Sequence, residues 1–201
     1  MLKIGITGNI GSGKTTVCKV FELLGIEVYY ADERAKQFLH SDESKSRIKE
    51  LFGEKVFDRN NNLINQELAK LVFDDKELLQ QLNNIIHPQV KKDFKLWVKK
   101  RKSGHYVLKE AAILIESGSY KELDKVIVVA SNIDLMIKRV KKRDNIPEEA
   151  IKKRLDNQVD QEVKIKKADH IIYNNENNLI IPQVINLHNE LIKLATHYQS
   201  S

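Results

Sequence analysis

Cysteine and proline are scarce in this 201-residue sequence, which contains one cysteine and three prolines. The single thiol, Cys18, cannot form a disulfide within the chain, which argues against a disulfide-stabilised secreted domain. We expect it to be a small buried thiol rather than a nucleophile. No apolar run approaches the roughly 20 residues that cross a bilayer as a helix. The sequence therefore predicts a cytoplasmic protein without a signal peptide.

Signatures of several other functional classes are also missing. The six histidines are scattered without metal-ligand spacing, and no zinc-finger or RNA-binding pattern is present. The net charge is +6, from 34 basic and 28 acidic residues. The basic residues concentrate at 91–102 and 138–167, where apolar residues are interspersed as in helices with solvated faces. A polyanionic small substrate explains this charge as well as nucleic acid does, and we expect neither a nucleic-acid nor a membrane partner.

The strongest positive signal is residues 8–15, which fit G-x-x-x-x-G-K-[ST], the phosphate-binding P-loop. A buried strand is predicted before the loop and a helix with apolar residues at helical spacing after it. Backbone N–H groups and the helix N-terminus would then cradle phosphate oxygens. Lys14 is predicted to reach the β- and γ-phosphates of ATP, and Thr15 to ligate Mg²⁺. The predicted nucleotide contacts are Asn9, Ile10, Gly11, Ser12, Gly13, Lys14, Thr15 and Thr16.

Hydrophobic patterns predict an α/β fold around a parallel sheet. The expected strands are 2–7, 26–30, 106–109, 125–129 and 170–173. Residues 33–101 carry almost no strand signal and are predicted to form several helices. His87-Pro88 is expected to break this block, with a new helix over 89–102. Further helices are predicted over 134–143, 148–157 and a closing segment that ends near residue 197.

Three charged residues outside the P-loop are candidates for roles in phosphoryl transfer. Asp32 follows the second strand, at the sheet edge where ligands bind, and is suited either to activate an acceptor hydroxyl or to cap the next helix. Arg139 and Arg143 share a helix face, which fits an arginine finger or, more often, a solvated cationic helix.

Two further residues have more than one interpretation. Glu110 follows the third strand and suits either water-mediated magnesium binding or a surface position. From the residues alone, His87 is a helix-boundary or core residue rather than a catalyst.

Taken together, these segments resemble the dephospho-coenzyme A kinase family along nearly the whole chain. The resemblance runs through 7–16, 24–25, 31–32, 51–53, 68–73, 85–90, 113–116, 143–144, Arg154, Gln158 and 168–175. Many kinases share the loop. Its combination with Ala31-Asp32, the His87-Pro88 segment and the lid spacing is far more specific.

The resemblance implies phosphorylation of the ribose 3′-hydroxyl of dephospho-coenzyme A by ATP with Mg²⁺, the last step of coenzyme A synthesis. It implies a three-layer P-loop kinase core with a five-stranded parallel sheet, at about 1–32, 104–139 and 168–201. A helical substrate lobe is expected at about 33–103 and a lid at about 140–167. We expect a monomer, although the sequence leaves an oligomer open.

The resemblance also assigns roles to individual residues. Asp32 becomes the acceptor-activating carboxylate, and Lys14, Arg139 and Arg143 become catalytic cations. Asn174 and Asn175 fall at the adenine-side turn, and His87 and Glu116 join Asp32 on the acceptor. The chain departs from the usual family pattern at four positions, which are Tyr30 for the first carboxylate of Asp-x-Asp, Asn65 for an arginine, Glu110 for an aspartate and Ala112 for a proline.

Other classes remain as alternatives. A kinase for another nucleotide or metabolite would differ only in its acceptor lobe. A nucleotide-dependent switch protein needs Asn-Lys-x-Asp and Asp-x-x-Gly, which the sequence lacks. An ATPase that binds nucleic acid would show tight, salt-sensitive binding to single or double strands.

Overall fold

The computed structural model describes residues 1–73, 75–101 and 104–199. The strands are β1 (Leu2–Thr7), β2 (Val28–Tyr30), β3 (Tyr106–Glu110), β4 (Lys125–Ala130) and β5 (His170–Tyr173). The helices are α1 (Lys14–Leu23), α2 (Ala31–Leu39), α3 (Asp42–Phe52), α4 (Asn65–Phe73), α5 (Lys76–Lys99), α6 (Ile133–Asp144), α7 (Glu148–Asp156), α8 (Gln161–Lys166) and α9 (Ile180–Gln199). Short 3₁₀ turns form at Glu54–Val56 and Ser119–Glu122.

The five strands form one parallel sheet in the order β2-β3-β1-β4-β5, which confirms the predicted α/β class. Parallel neighbours require crossover connections, and helices supply them. Strand β2 starts two residues later than predicted. The N–H of Ile26 bonds to the Phe21 carbonyl at 3.1 Å, so this residue is still tied to the C-terminal end of α1.

The sheet packs against α1 and α9 in a continuous apolar core. The central strands are buried because helices cover a parallel sheet on its faces. Cys18 lies on the buried side of α1 and is inaccessible to solvent, as predicted. Burial raises the pKa of its thiol, so the group stays protonated and a poor nucleophile.

Residues Ala31–Arg101 form a compact unit of their own, separate from the unit that contains the sheet. The predicted helix break at His87-Pro88 is wrong, because α5 continues through Pro88. Its apolar stripe runs unbroken across the proline, through Leu82, Ile85, Ile86, Val90 and Phe94. The Gln89 carboxamide donates to the Ile85 carbonyl at 3.1 Å and to Ser44 Oγ at 2.7 Å, which supports the helix near the proline. Helix α5 ends at Lys99, before the predicted end, and the last predicted residue, 102, lies outside the described residues.

None of the helices described here is both long enough and apolar enough to span a membrane.

Candidate active site

The P-loop connects the end of β1 to the start of α1. Gly13 is the N-cap residue of α1 and has a φ of 96°, in the left-handed region where glycine is favoured. At Gly11 a Cβ atom would lie 2.5 Å from the Met136 carbonyl oxygen, so the loop packs directly on the backbone of α6. The loop therefore has the glycines that its backbone path requires, and α1 begins immediately after it.

Lys14 is buried in the loop that precedes it. Its side-chain ammonium donates to the Gly8 carbonyl at 2.9 Å and to the Asn9 carbonyl at 3.5 Å. Thr15 and Thr16 follow in the first turn of α1 and are exposed. A positive helix end, a lysine ammonium and a threonine hydroxyl together suit the binding of a phosphate chain with its divalent cation.

Asn174 and Arg139 brace the P-loop from outside. The Asn174 side-chain amide donates to the Ser12 carbonyl at 2.7 Å. One terminal nitrogen of Arg139 donates to the Asn174 carbonyl at 2.9 Å, and the other donates to Ser131 Oγ at 3.1 Å and to the Gly11 carbonyl at 3.4 Å. The Arg139 guanidinium is thus engaged by acceptors of the protein itself.

The turn after β5 is tied to the start of α6. The N–H of Asn132, the N-cap residue of α6, donates to the Asn175 side-chain oxygen at 2.8 Å. The Ser131 hydroxyl donates to the Asn174 carbonyl at 2.9 Å. The Asn132 side chain makes no capping bond. Its contribution to the contact between the two segments is its backbone N–H. The two predicted adenine-side residues therefore lie on a turn fixed to the start of α6.

Arg143 has a different environment from Arg139. It is exposed and pairs with Asp144 through two hydrogen bonds of 2.6 and 3.0 Å, and Arg154 also reaches Asp144, at 3.3 Å. The hydrogen bond from Arg143 lowers the pKa of the Asp144 carboxyl and raises that of the guanidinium. Although they share one helix, the two arginines therefore face different partners.

Residues after α7 contact the tip of the P-loop. The Ile10 N–H donates to the Gln158 side-chain oxygen at 2.8 Å, and the Asn9 amide donates to the Val159 carbonyl at 3.4 Å. The Val159 N–H donates to Glu116, and Glu116 pairs with the fully buried Lys164 at 2.8 Å. Sequence reasoning missed Lys164. It stands among other lysines, and nothing in the pattern marks it as buried.

The remaining predicted residues are distributed over the two units. Asp32 is the second residue of α2, directly after β2, so it lies within the helix rather than at its N-cap. His87 is half-buried on α5, in the same unit as Asp32. Glu110 ends β3 in register with Ile6 and is buried, which excludes the surface position considered for it. Glu116 belongs to the unit with the sheet.

Protein ligands for a resident metal are not gathered anywhere in the described ranges, where no three His, Cys, Asp or Glu residues could hold an ion. A cavity of about 490 Å³ opens beside Asn9. Its lining includes Asp134, Asp156 and Asp160. Three carboxylates disfavour a polyphosphate there, so the loop itself remains the better anion site.

Comparison with known proteins gives one consistent family. The family model described as dephospho-CoA kinase matches residues 2–179. The chain is 39% identical to a dephospho-CoA kinase of Fusobacterium nucleatum over 174 residues, which cover 87% of this chain and 90% of the relative. It is 40% identical to a dephospho-CoA kinase of Chlorobaculum tepidum, with 86% of each chain covered.

Solved structures show the same likeness. The dephospho-CoA kinase from Campylobacter jejuni is 30% identical with a TM-score of 0.67, covering 95% of this chain and 97% of its own. The protein TT1252 from Thermus thermophilus is 28% identical with a TM-score of 0.84, covering 94% and 96%. A shikimate kinase from Acinetobacter baumannii is 18% identical with a TM-score of 0.53, covering 100% and 96%, and shares the fold alone.

Proposed function

We propose that this chain, which belongs to the dephospho-CoA kinase family, transfers the γ-phosphoryl group of ATP to the ribose 3′-hydroxyl of dephospho-coenzyme A. One observation carries the proposal. A P-loop with a buried lysine connects β1 to α1, inside a chain that matches the family over residues 2–179. The products are coenzyme A and ADP, and the setting we propose is the cytoplasm, with the chain acting as a monomer.

The P-loop would hold the triphosphate of ATP. Backbone N–H groups of residues 9–16 and the N-terminus of α1 face anionic oxygens in such loops. We expect Lys14 to exchange the Gly8 carbonyl for a β- or γ-phosphate oxygen, because a charged acceptor makes the stronger bond. Asn174 and Asn175 would lie on the adenine side.

Mg²⁺ fits this site as part of the ATP substrate. In P-loop enzymes phosphate oxygens and water supply most of its ligands, so the protein needs few. The exposed Thr15 hydroxyl at the start of α1 would contribute one ligand, and the buried Glu110 suits a contact through water. When bound, the ion neutralises charge on the β- and γ-phosphates.

Asp32 would act on the acceptor. Its carboxylate orients the 3′-hydroxyl and takes up its proton as the new O–P bond forms and ADP leaves. From the resemblance we infer that His87 and Glu116 would also contact the acceptor. The support for Asp32 is its position as the second residue of α2, the helix that follows β2 immediately, within the helix rather than at its cap.

The two arginines would divide the remaining work. Arg139 holds the P-loop in its conformation through hydrogen bonds to Gly11, Ser131 and Asn174. Its guanidinium would thereby stabilise the charge of the phosphates indirectly, without contacting them. Arg143 would contact the transferring phosphoryl group when the lid, expected at about 140–167, closes over residues 143–158, while the part of it that follows stays attached to the core through Lys164 and Glu116. Closure excludes water, which protects ATP from hydrolysis.

The test is ADP release from ATP and Mg²⁺ with and without dephospho-coenzyme A, with the product identified by mass. We expect ADP release that depends on the acceptor, an acceptor that gains one phosphoryl group, and neither in Lys14→Ala. ADP release that ignores dephospho-coenzyme A, or that responds to another alcohol, would overturn the substrate and leave a kinase of another specificity. Full activity in Lys14→Ala would overturn the role of the loop.

A further inference from the structure

The tip of the P-loop is held by a segment distant in sequence. Ile10 stands between Asn9 and Gly11, with Gly8 two residues before it, so glycines lie close to it on both sides and give this part of the loop backbone freedom. Its N–H donates to the Gln158 side-chain oxygen at 2.8 Å. This contact from outside the loop adds to the bonds that Lys14 and the Ser12 N–H make within it, to the Gly8 and Asn9 carbonyls, in fixing this part of the backbone.

A second contact joins the same two segments one residue away. The Asn9 side-chain amide donates to the Val159 carbonyl at 3.4 Å. Asn9 is only 5% exposed, so water has little access to this bond. The residues after α7 thus meet two successive loop residues, one through its backbone and one through its side chain.

The segment itself is anchored by a buried ion pair. The Val159 N–H donates to Glu116 Oε1 at 3.1 Å. The same oxygen lies 2.8 Å from the Lys164 ammonium, which also donates to the Ala112 carbonyl at 3.2 Å. Lys164 is 0% exposed, so water cannot solvate its charge and Glu116 has to balance it. A buried charge without its partner is costly, which makes this anchor firm.

We propose that Gln158, Val159, Glu116 and Lys164 form a clasp that positions the P-loop tip for ATP. None of its side chains needs to touch a reacting atom, because Gln158 acts through the Ile10 backbone and Lys164 through Glu116. They are positioning residues. The clasp rests on the proposed function only for its effect on turnover, since its effect on nucleotide binding holds for any P-loop kinase.

The pair Lys164–Glu116 also explains why a lysine is buried in a helix of six residues. A buried pair adds little to stability compared with an apolar replacement. Here the Lys164 ammonium and the Val159 N–H both bond to Glu116 Oε1, which ties the segment after α7 to the pair, whereas Glu116 Oε2 is buried with no hydrogen-bond partner among the described residues. The clasp gives Glu116 this task in addition to the acceptor contact that the resemblance implies.

The first test compares Gln158→Leu with Gln161→Leu. Both changes remove a side-chain oxygen that accepts a backbone N–H, but Gln161 bonds to Ser131, outside the loop, at 2.9 Å. In Gln158→Leu we expect affinity for Mg·ATP, measured by calorimetry, to fall about tenfold. KM for ATP should rise with it, while KM for dephospho-coenzyme A and the melting temperature change little. Gln161→Leu should keep wild-type ATP affinity. Wild-type ATP affinity in Gln158→Leu, or an equal loss in both variants, would overturn the clasp.

The second test removes the charges of the Lys164–Glu116 pair, first one and then both. Lys164→Met leaves the Glu116 carboxylate unpaired and should weaken ATP binding about as much as Gln158→Leu. Lys164→Met with Glu116→Gln has no unpaired charge and keeps an oxygen for the Val159 N–H, so ATP affinity should return to within about threefold of wild type. No recovery in a folded double variant, checked by circular dichroism, would contradict the clasp.

The two proposals fail in different ways. If the wild-type protein shows no turnover with dephospho-coenzyme A, the proposed function fails and the ATP-binding measurements still test the clasp. If wild-type turnover is normal and the Gln158 variant binds ATP as wild type does, only the clasp fails.

Discussion

The side-chain amide of Asn174 donates to the Ser12 carbonyl at 2.7 Å and occupies the space that a Cβ atom on Gly13 would need. The residue after β5 and the last turn of the P-loop are therefore fitted to each other. Asn174 is itself held by Ser131 and Arg139. The shape of the phosphate site thus depends on residues more than a hundred positions away from the loop.

Gly13→Ala should damage both the fold and nucleotide binding. A side chain at Gly13 has to adopt a φ of 96° and also collides with the Asn174 amide. We expect a loss of unfolding free energy of about 2 kcal/mol or more and a large loss of ATP affinity. Gly25→Ala is the matched control, because it has a φ of 83° but nothing within 4 Å.

Urea unfolding and calorimetry with Mg·ATP measure the two effects. Gly25→Ala should cost about 1 kcal/mol and leave ATP affinity unchanged. Adding Asn174→Ala to Gly13→Ala should recover part of the stability by removing the collision. Equal losses in the two glycine variants would show that the contact with Asn174 carries no cost of its own.

Asp32→Asn should reduce turnover without reducing ATP affinity. The amide keeps the size of the side chain but cannot take up the proton of the acceptor hydroxyl. We expect kcat to fall roughly a hundredfold. Glu33→Gln, at the neighbouring exposed carboxylate of α2, should remain near wild type. Weaker ATP binding in Asp32→Asn with an unchanged kcat would rule out its role as the base.

Replacing Arg139 and replacing Arg143 should have different effects on the free energy of unfolding. Arg139→Leu removes bonds to Gly11, Ser131 and Asn174, so we expect a loss of about 1–3 kcal/mol of unfolding free energy together with weaker ATP binding. Arg143→Leu removes an exposed pair and should cost less than about 1 kcal/mol.

The role of Arg143 would be visible in turnover instead. Its loss should lower kcat by about tenfold or more if it meets the transferring phosphoryl group. Lys142→Leu, at the exposed cation next to it, is the control for general charge loss and should keep kcat. Steady-state kinetics and urea unfolding on the same preparations separate the two arginines. An equal fall in kcat for the Lys142 and Arg143 variants would remove the special role of Arg143.

Ionised Asp169 should contribute to the free energy of unfolding, and this contribution should be lost at acid pH. Burial alone would raise its pKa, but hydrogen bonds from Lys125 and the Val126 N–H, each 2.8 Å, outweigh this and lower the pKa below its ordinary value. The folded protein therefore binds this proton less tightly than the unfolded chain does. The stabilisation is present at neutral pH and is lost as the pH falls below about 4 through the folded pKa.

Urea unfolding between pH 7 and pH 3 tests this prediction. The side chain of Asp169 is about one-third exposed, so we expect its contribution to be about 1 kcal/mol or less. Asp169→Asn should have a shallower loss of unfolding free energy over this pH range than wild type. Identical slopes in the two proteins would contradict the assignment.

The sequence was most informative where local pattern and local structure agree. The strand β1, the glycine loop and α1 follow from hydrophobic spacing and a short motif, because a P-loop is built from neighbouring residues. Strand β5 begins and ends at the predicted residues. At Pro88 the prediction that proline ends the helix was wrong. Proline removes one helical hydrogen bond, but the apolar stripe of α5 on both sides of it favours one continuous helix.

By itself, the sequence determined the phosphate loop, the parallel α/β class and the family, since these depend on motifs and on periodic burial along the chain. Only the tertiary structure decided which charged side chains are buried and what each one contacts. Lys164 looks like any other lysine in a basic segment, yet it is the most buried lysine described here because Glu116, far away in the chain, neutralises it. Arg139 and Arg143 are one helical turn apart, yet they bond to different partners, because α6 lies against the loop on one side and is exposed on the other.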